Sequence, residues 1–150
     1  MYIREASLTE VHQVVRLVND SYWSRQKAFF EESPESLRTD EIEVQSLIAK
    51  RNLFVLINEV EEIVGTILYD REAISFGLFT ISADEKYRGR NLGEKLITFI
   101  ENKAREDRQT KIAIEVLNIA PKLISYYNKL GYEPTGVVHD SRVVSKAALK

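Results

Sequence analysis

Apolar positions along this chain of 150 residues alternate between the helical and the extended period. Residues 2–4 form a short first strand, and Ser7-Leu-Thr-Glu10 has the form of a capping box that opens a helix. Val11, Val14, Val15, Val18 and Tyr22 then recur at spacings of three and four, which predicts one buried helical face. The period is lost over residues 24–38, read as loop with a short helix. Asp40 starts a second helical stretch, with Ile42, Leu47 and Ile48 expected to face inward. Residues 53–58, 63–69 and 73–83 read as strands, the first two joined by an acidic turn at 59–62 into an antiparallel hairpin. A polar, basic loop at 84–93 leads into a long helix. One side of it carries Leu92, Leu96, Ile97, Ile100 and Ala104, and the other carries charges. Residues 111–117 alternate as a strand. Pro121 begins a helix that Gly131 ends, and residues 132–139 form a last strand. The tail, 140–150, has no clear pattern.

This order predicts an α/β fold, a mixed sheet with helices on its faces. The strand–helix–strand passage from 73 to 117 is a crossover that makes its two strands parallel. Gly and Pro are sparse and no linker or repeat interrupts the chain, so residues 1–150 are expected to form one domain.

Composition narrows the chemistry. The chain has no cysteine, which removes disulfides and thiolate metal sites. His12 and His139 are its only histidines and lack ligand spacing, so no metal centre is expected. The formal net charge is −2, with acids and bases interspersed, which disfavours nucleic acid as a partner. No stretch is long and apolar enough to span a bilayer, and the first ten residues lack the apolar core of a secretory signal. A cytoplasmic location with no membrane partner is the expectation.

The most informative segment is Lys86-Tyr87-Arg88-Gly89-Arg90-Asn91-Leu92-Gly93-Glu94, between a strand and an amphipathic helix. A helix start offers unpaired N–H groups and the positive end of the helix dipole. Gly89 and Gly93 allow close approach to the backbone, and Arg88 and Arg90 add positive charge. The set suits a diphosphate. A plain turn with solvated arginines has the same local chemistry.

The segment resembles motif A of the GCN5-related N-acetyltransferase (GNAT) family: Arg or Gln, two residues, Gly, one residue, then Gly or Ala. Arg88 and Gly93 fill the outer places, and Asn91 replaces the middle glycine. Asparagine tolerates left-handed backbone better than most residues. A second family motif is similar to Ile114-Glu115-Val116-Leu117-Asn118 followed by Tyr127-Asn128-Lys129-Leu130-Gly131-Tyr132. The resemblance covers nearly the whole chain. It implies a mostly antiparallel mixed sheet with helices on both faces and one splayed parallel strand pair.

The resemblance also implies acetyl transfer from acetyl-CoA (coenzyme A) to a primary amine by direct attack. Backbone groups of Ile81, Ser82 and Ala83 are then expected on the pantetheine arm. The amides of Gly89, Arg90, Asn91, Leu92, Gly93 and Glu94, with Arg88, are expected at the diphosphate, and Asn118 on the cofactor arm. Tyr127 is the candidate proton donor to the leaving sulfur, although Leu123, Tyr127 and Leu130 also form a helix stripe suited to packing. Glu115 is the candidate base, or simply the outward member of an alternating strand. Tyr22, Trp23, Phe29 and Phe30 offer aromatic walls for the acceptor, or cover for the core. The acceptor is a small-molecule or peptide amine, and the protein a monomer or homodimer. A non-catalytic acyl-CoA sensor with the same fold is the alternative.

Overall fold

The computed structural model describes residues 1–26, 39–72, 77–87, 92–117, 121–138 and 141–147. They fall into two compact units, Met1–Leu68 with Ile81–Arg90, and Tyr69–Thr80 with Asn91–Lys150.

In the first unit, β1 (Tyr2–Glu5) pairs antiparallel with β2 (Leu53–Ile57), from Tyr2↔Ile57 to Glu5↔Phe54. β2 pairs antiparallel with β3 (Ile63–Asp70), as the hairpin predicts, with Leu53↔Leu68 and Val55↔Thr66 and an irregularity at Leu56/Ile57. Every residue of β2 is buried, which its unbroken apolar run requires. A 3₁₀ turn (Leu8–Glu10) leads into α1 (Val11–Gln26), and α2 (Glu41–Ala49) follows. Val11, Val14 and Val18 of α1 and Val44 of α2 pack with Leu53, Val55 and Ile57 into one cluster.

Asp40 caps α2 by accepting the Glu43 N–H at 2.8 Å. The inward face of α2 differs from the expectation. Val44 is buried, Leu47 and Ile48 are partly buried, and Ile42 is 78% exposed. Spacings of three and four from Val44 reach Leu47 and Ile48, whereas Ile42 lies two positions back and faces outward. His12 is a surface residue, with Nδ1 2.9 Å from Glu41.

Glu10 closes the capping box, its carboxylate accepting the Ser7 N–H at 2.9 Å. Both Glu10 oxygens also receive the Arg4 guanidinium, at 2.7 and 2.9 Å. The Arg4 hydrogen bonds, aided by the Ser7 N–H, hold the Glu10 carboxyl at about 2, against an ordinary 4.5. A carboxyl depressed in the folded chain stabilises the fold above its unfolded value and loses that contribution as pH falls through its folded value. Unfolding free energy should therefore decline between about 4.5 and about 2. Glu10→Gln should flatten that decline by on the order of 1 kcal/mol, since Arg4 is partly solvent-screened. Urea titrations across this window check it, and an unchanged acid slope in the variant would contradict it.

In the second unit, β5 (Lys111–Leu117) pairs in parallel with residues 77–80 of β4 (Gly77–Ala83), from Gly77↔Ile112 to Thr80↔Glu115. α3 (Leu92–Glu106) supplies the crossover and buries Leu96, Ile97, Ile100 and Ala104, the predicted face. α4 (Pro121–Lys129) ends at Gly131, whose φ of +94° is the left-handed stop the sequence implies. The Tyr132 N–H closes this end on the Tyr127 carbonyl at 3.0 Å.

The seventh strand is not anticipated. β7 (Ser141–Ala147) lies between β5 and β6 (Glu133–Val138), antiparallel to both. Its sequence, Ser-Arg-Val-Val-Ser-Lys-Ala, does not alternate. Hydrogen bonding on both edges makes it a strand, and that depends on residues distant in sequence.

Candidate functional site

Backbone direction at the end of β4 sets the first part of the site. The Asp84 N–H donates to the Val64 carbonyl at 2.8 Å. The Ser82 carbonyl oxygen sits 3.3 Å from where a Cβ on Gly65 would be. Ser82 and Asp84 thus direct their main-chain groups toward β3, and strand alternation turns those of Ile81 and Ala83 the other way. The parallel pairing with β5 has its last partners at Thr80↔Glu115, one residue before Ile81.

A cavity of about 770 Å³ adjoins Ala83 and Asp84 within the first unit. One wall is α1, and the β2–β3 turn forms another part. Its lining carries the carboxylates of Asp20, Glu61, Glu62 and Asp84, the Glu10 carboxylate that Arg4 pairs, and the guanidinium of Arg16. No single segment advertises this charge, because the acids come from three stretches of chain.

The second unit holds the other candidates. Leu92, Gly93 and Glu94 form the first turn of α3, where N–H groups lack partners within the helix. Gly93 faces α4: a Cβ there would lie 2.8 Å from the Tyr126 Oη and 3.2 Å from its Cζ. The freedom at Gly93 makes room for a protein side chain, not directly for a ligand. Tyr127 is 6% exposed, with its ring edge-on to Tyr126 at 5.4 Å and to Tyr132 at 5.7 Å. Tyr132 is fixed in turn. Its hydroxyl donates to Glu101 Oε1 at 3.0 Å, and Lys146 Nζ donates to the same oxygen at 3.2 Å. Burial, then the Glu101 charge, raises the Tyr132 phenol above its ordinary value, so it remains a donor. Glu115 is half-buried on β5, between Thr80 of β4 and Val143 of β7.

Arg88, Gly89, Arg90 and Asn91 lie outside the described residues, as do Asn118, Phe29 and Phe30. Tyr22 and Trp23 belong to the last turns of α1. Among the described residues no group of three or more His, Asp or Glu side chains is arranged to hold a metal ion. None of the described helices is long and apolar enough to cross a membrane.

The chain belongs to the GNAT acetyltransferase family: the family model described as "Acetyltransferase (GNAT) domain" matches residues 19–144. No match is found among curated proteins. Solved structures share the fold over nearly the full length. The Streptococcus mutans UA159 protein smu.2055 is 22% identical with TM-score 0.75, covering 98% of this chain and 99% of its own. The ribosomal-protein-alanine N-acetyltransferase of Brucella melitensis is 16% identical with TM-score 0.73, over 98% and 99%. PaiA N-acetyltransferase of Thermoplasma acidophilum, solved with coenzyme A, is 12% identical with TM-score 0.72, over 97% and 98%. The mixed sheet with its parallel β4–β5 pair is the fold class that the sequence implies.

Proposed function

We propose that the protein transfers an acetyl group from acetyl-CoA to the primary amine of a cationic acceptor. The observation that carries this reading is the end of β4. Main-chain groups of Ile81 and Ala83 turn away from β3. Such groups are strong donors and acceptors that require partners when buried. A pantetheine arm, with its two amides, has the matching chemistry. The first-turn amides of Leu92, Gly93 and Glu94 suit the diphosphate, and the family pattern adds Arg88, Gly89, Arg90, Asn91 and Asn118. The residues present therefore fit acetyl-CoA, which when bound supplies a thioester carbon open to attack by an amine.

The protein's own groups have three tasks. The acidic cavity beside Ala83 concentrates an ammonium-bearing acceptor and orients it by charge. Glu115 accepts the proton that the amine must lose, directly or through water. Tyr127 holds on its Oη the proton that the departing sulfur requires. In this reading Tyr22, Trp23, Phe29 and Phe30 are the candidates for contact with the acceptor.

The decisive experiment mixes the purified protein with acetyl-CoA and a panel of mono-, di- and polyamines and amino-terminal peptides, and measures free thiol. Amine-dependent release is expected. Tight CoA binding with no release for any amine would support the sensor instead. Glu115→Gln tests the base: kcat/KM should fall by about a hundredfold and its acid limb should flatten. A variant with the wild-type pH profile would leave proton removal to water.

A further inference from the structure

We propose that Tyr126 positions the cofactor diphosphate, through a phenol seated on Gly93 at the head of α3. The inference rests on the acetyl-CoA reading above and adds a residue that the family motifs do not name. A Cβ on a helical residue points toward the helix N-terminus. The Tyr126 Oη lies 2.8 Å from that Cβ position on Gly93, so the oxygen stands beside the N-terminal end of α3. The first-turn N–H groups point the same way. The contact also excludes any side chain at Gly93, because Oη, Cζ and Cε1 of Tyr126 all fall within 3.4 Å of the Cβ position.

The phenol is held but not buried. Its ring packs edge-on against Tyr127, with the planes at 70°, and the residue is 37% exposed. Among the described residues its hydroxyl has no hydrogen-bond partner. A fixed O–H beside a row of helix amides adds one donor to an anion site and covers one flank of it. A hydrogen bond to a charged oxygen is shorter and stronger than one between neutral groups. Tyr126 and Tyr127 then divide the labour on α4, one at the diphosphate and the other at the sulfur.

The test compares acetyl-CoA with acetyl-pantetheine, which carries the same thioester and arm but no diphosphate. Tyr126→Phe should raise the Kd for CoA, read by calorimetry, and the KM for acetyl-CoA about tenfold, with kcat little changed. It should leave the KM for acetyl-pantetheine at the wild-type value. Circular dichroism and the melting temperature confirm that the variant folds. Wild-type KM for acetyl-CoA in Tyr126→Phe, or an equal rise for both thioesters, overturns the proposal. Failure of the wild type to bind either thioester is a different outcome, which sinks the cofactor reading and this inference with it.

Discussion

Replacing Ala83 with proline is expected to raise the Kd for acetyl-CoA at least tenfold while leaving the fold nearly as stable as before. The expectation follows from strand alternation. Asp84 gives its N–H to Val64, so the N–H of Ala83 is directed away from β3. Proline removes that donor and fills the space beside it with its ring. Extended backbone tolerates the proline φ, and reduced freedom of the unfolded chain offsets part of any loss, so stability should change by about 1 kcal/mol or less. Asp84→Pro is the contrasting variant. It deletes a hydrogen bond the fold uses and should destabilise by about 1–3 kcal/mol. Calorimetry with CoA and thermal unfolding of both variants check the pair. If Ala83→Pro binds CoA like the wild type, or if it is the variant that unfolds, the assignment of Ile81 and Ala83 to the cofactor is wrong.

How much of this was legible in the sequence depends on how local each cause is. α3 is readable because Leu96, Ile97, Ile100 and Ala104 repeat at helical spacing over more than two turns. β5 is legible from its apolar residues although Ala113 is as buried as Ile112 and Ile114, and Gly131 marks a stop that its positive φ explains. Ile42 faces outward, and hydrophobicity alone does not give helical phase. Val44, an equally apolar neighbour, is the residue that packs. β7 is not legible, because its pairing with β5 and β6 on its two edges leaves no periodic mark on Ser141–Ala147. The site divides in the same way. Glycines and arginines adjacent in sequence announce an anion loop, whereas the cavity acids, Glu10, Asp20, Glu61, Glu62 and Asp84, meet only through the fold. The contact of Tyr126 with Gly93 joins two helices, so Gly93 read alone suggests room for a ligand.

Tyr127→Phe is expected to lower kcat with acetyl-CoA by about a hundredfold, with the Kd for acetyl-CoA and the melting temperature close to wild type. The ring is buried at 6% exposure and packs edge-on against Tyr126 and Tyr132, contacts that phenylalanine keeps. Only the oxygen and its proton are lost. Tyr127→Ala would lose the packing as well, at about 3–5 kcal/mol, and so cannot separate the two roles. The leaving group can. An alkyl thiolate such as that of CoA is basic and gains from a proton at the moment of departure. The thiolate of an aryl thioester is far less basic and leaves without one. If the Tyr127 phenol donates that proton, Tyr127→Phe should be much slower than wild type with acetyl-CoA yet nearly equal to it with an acetyl aryl thioester. Buried Tyr127 beside Glu101-anchored Tyr132 also admits a purely structural role. That role makes a different forecast: the same deficit with both thioesters, or none with either, because packing does not distinguish leaving groups. Paired single-turnover rates for the two thioesters, measured on wild type and variant, decide whether the hydroxyl moves a proton or only fills a core.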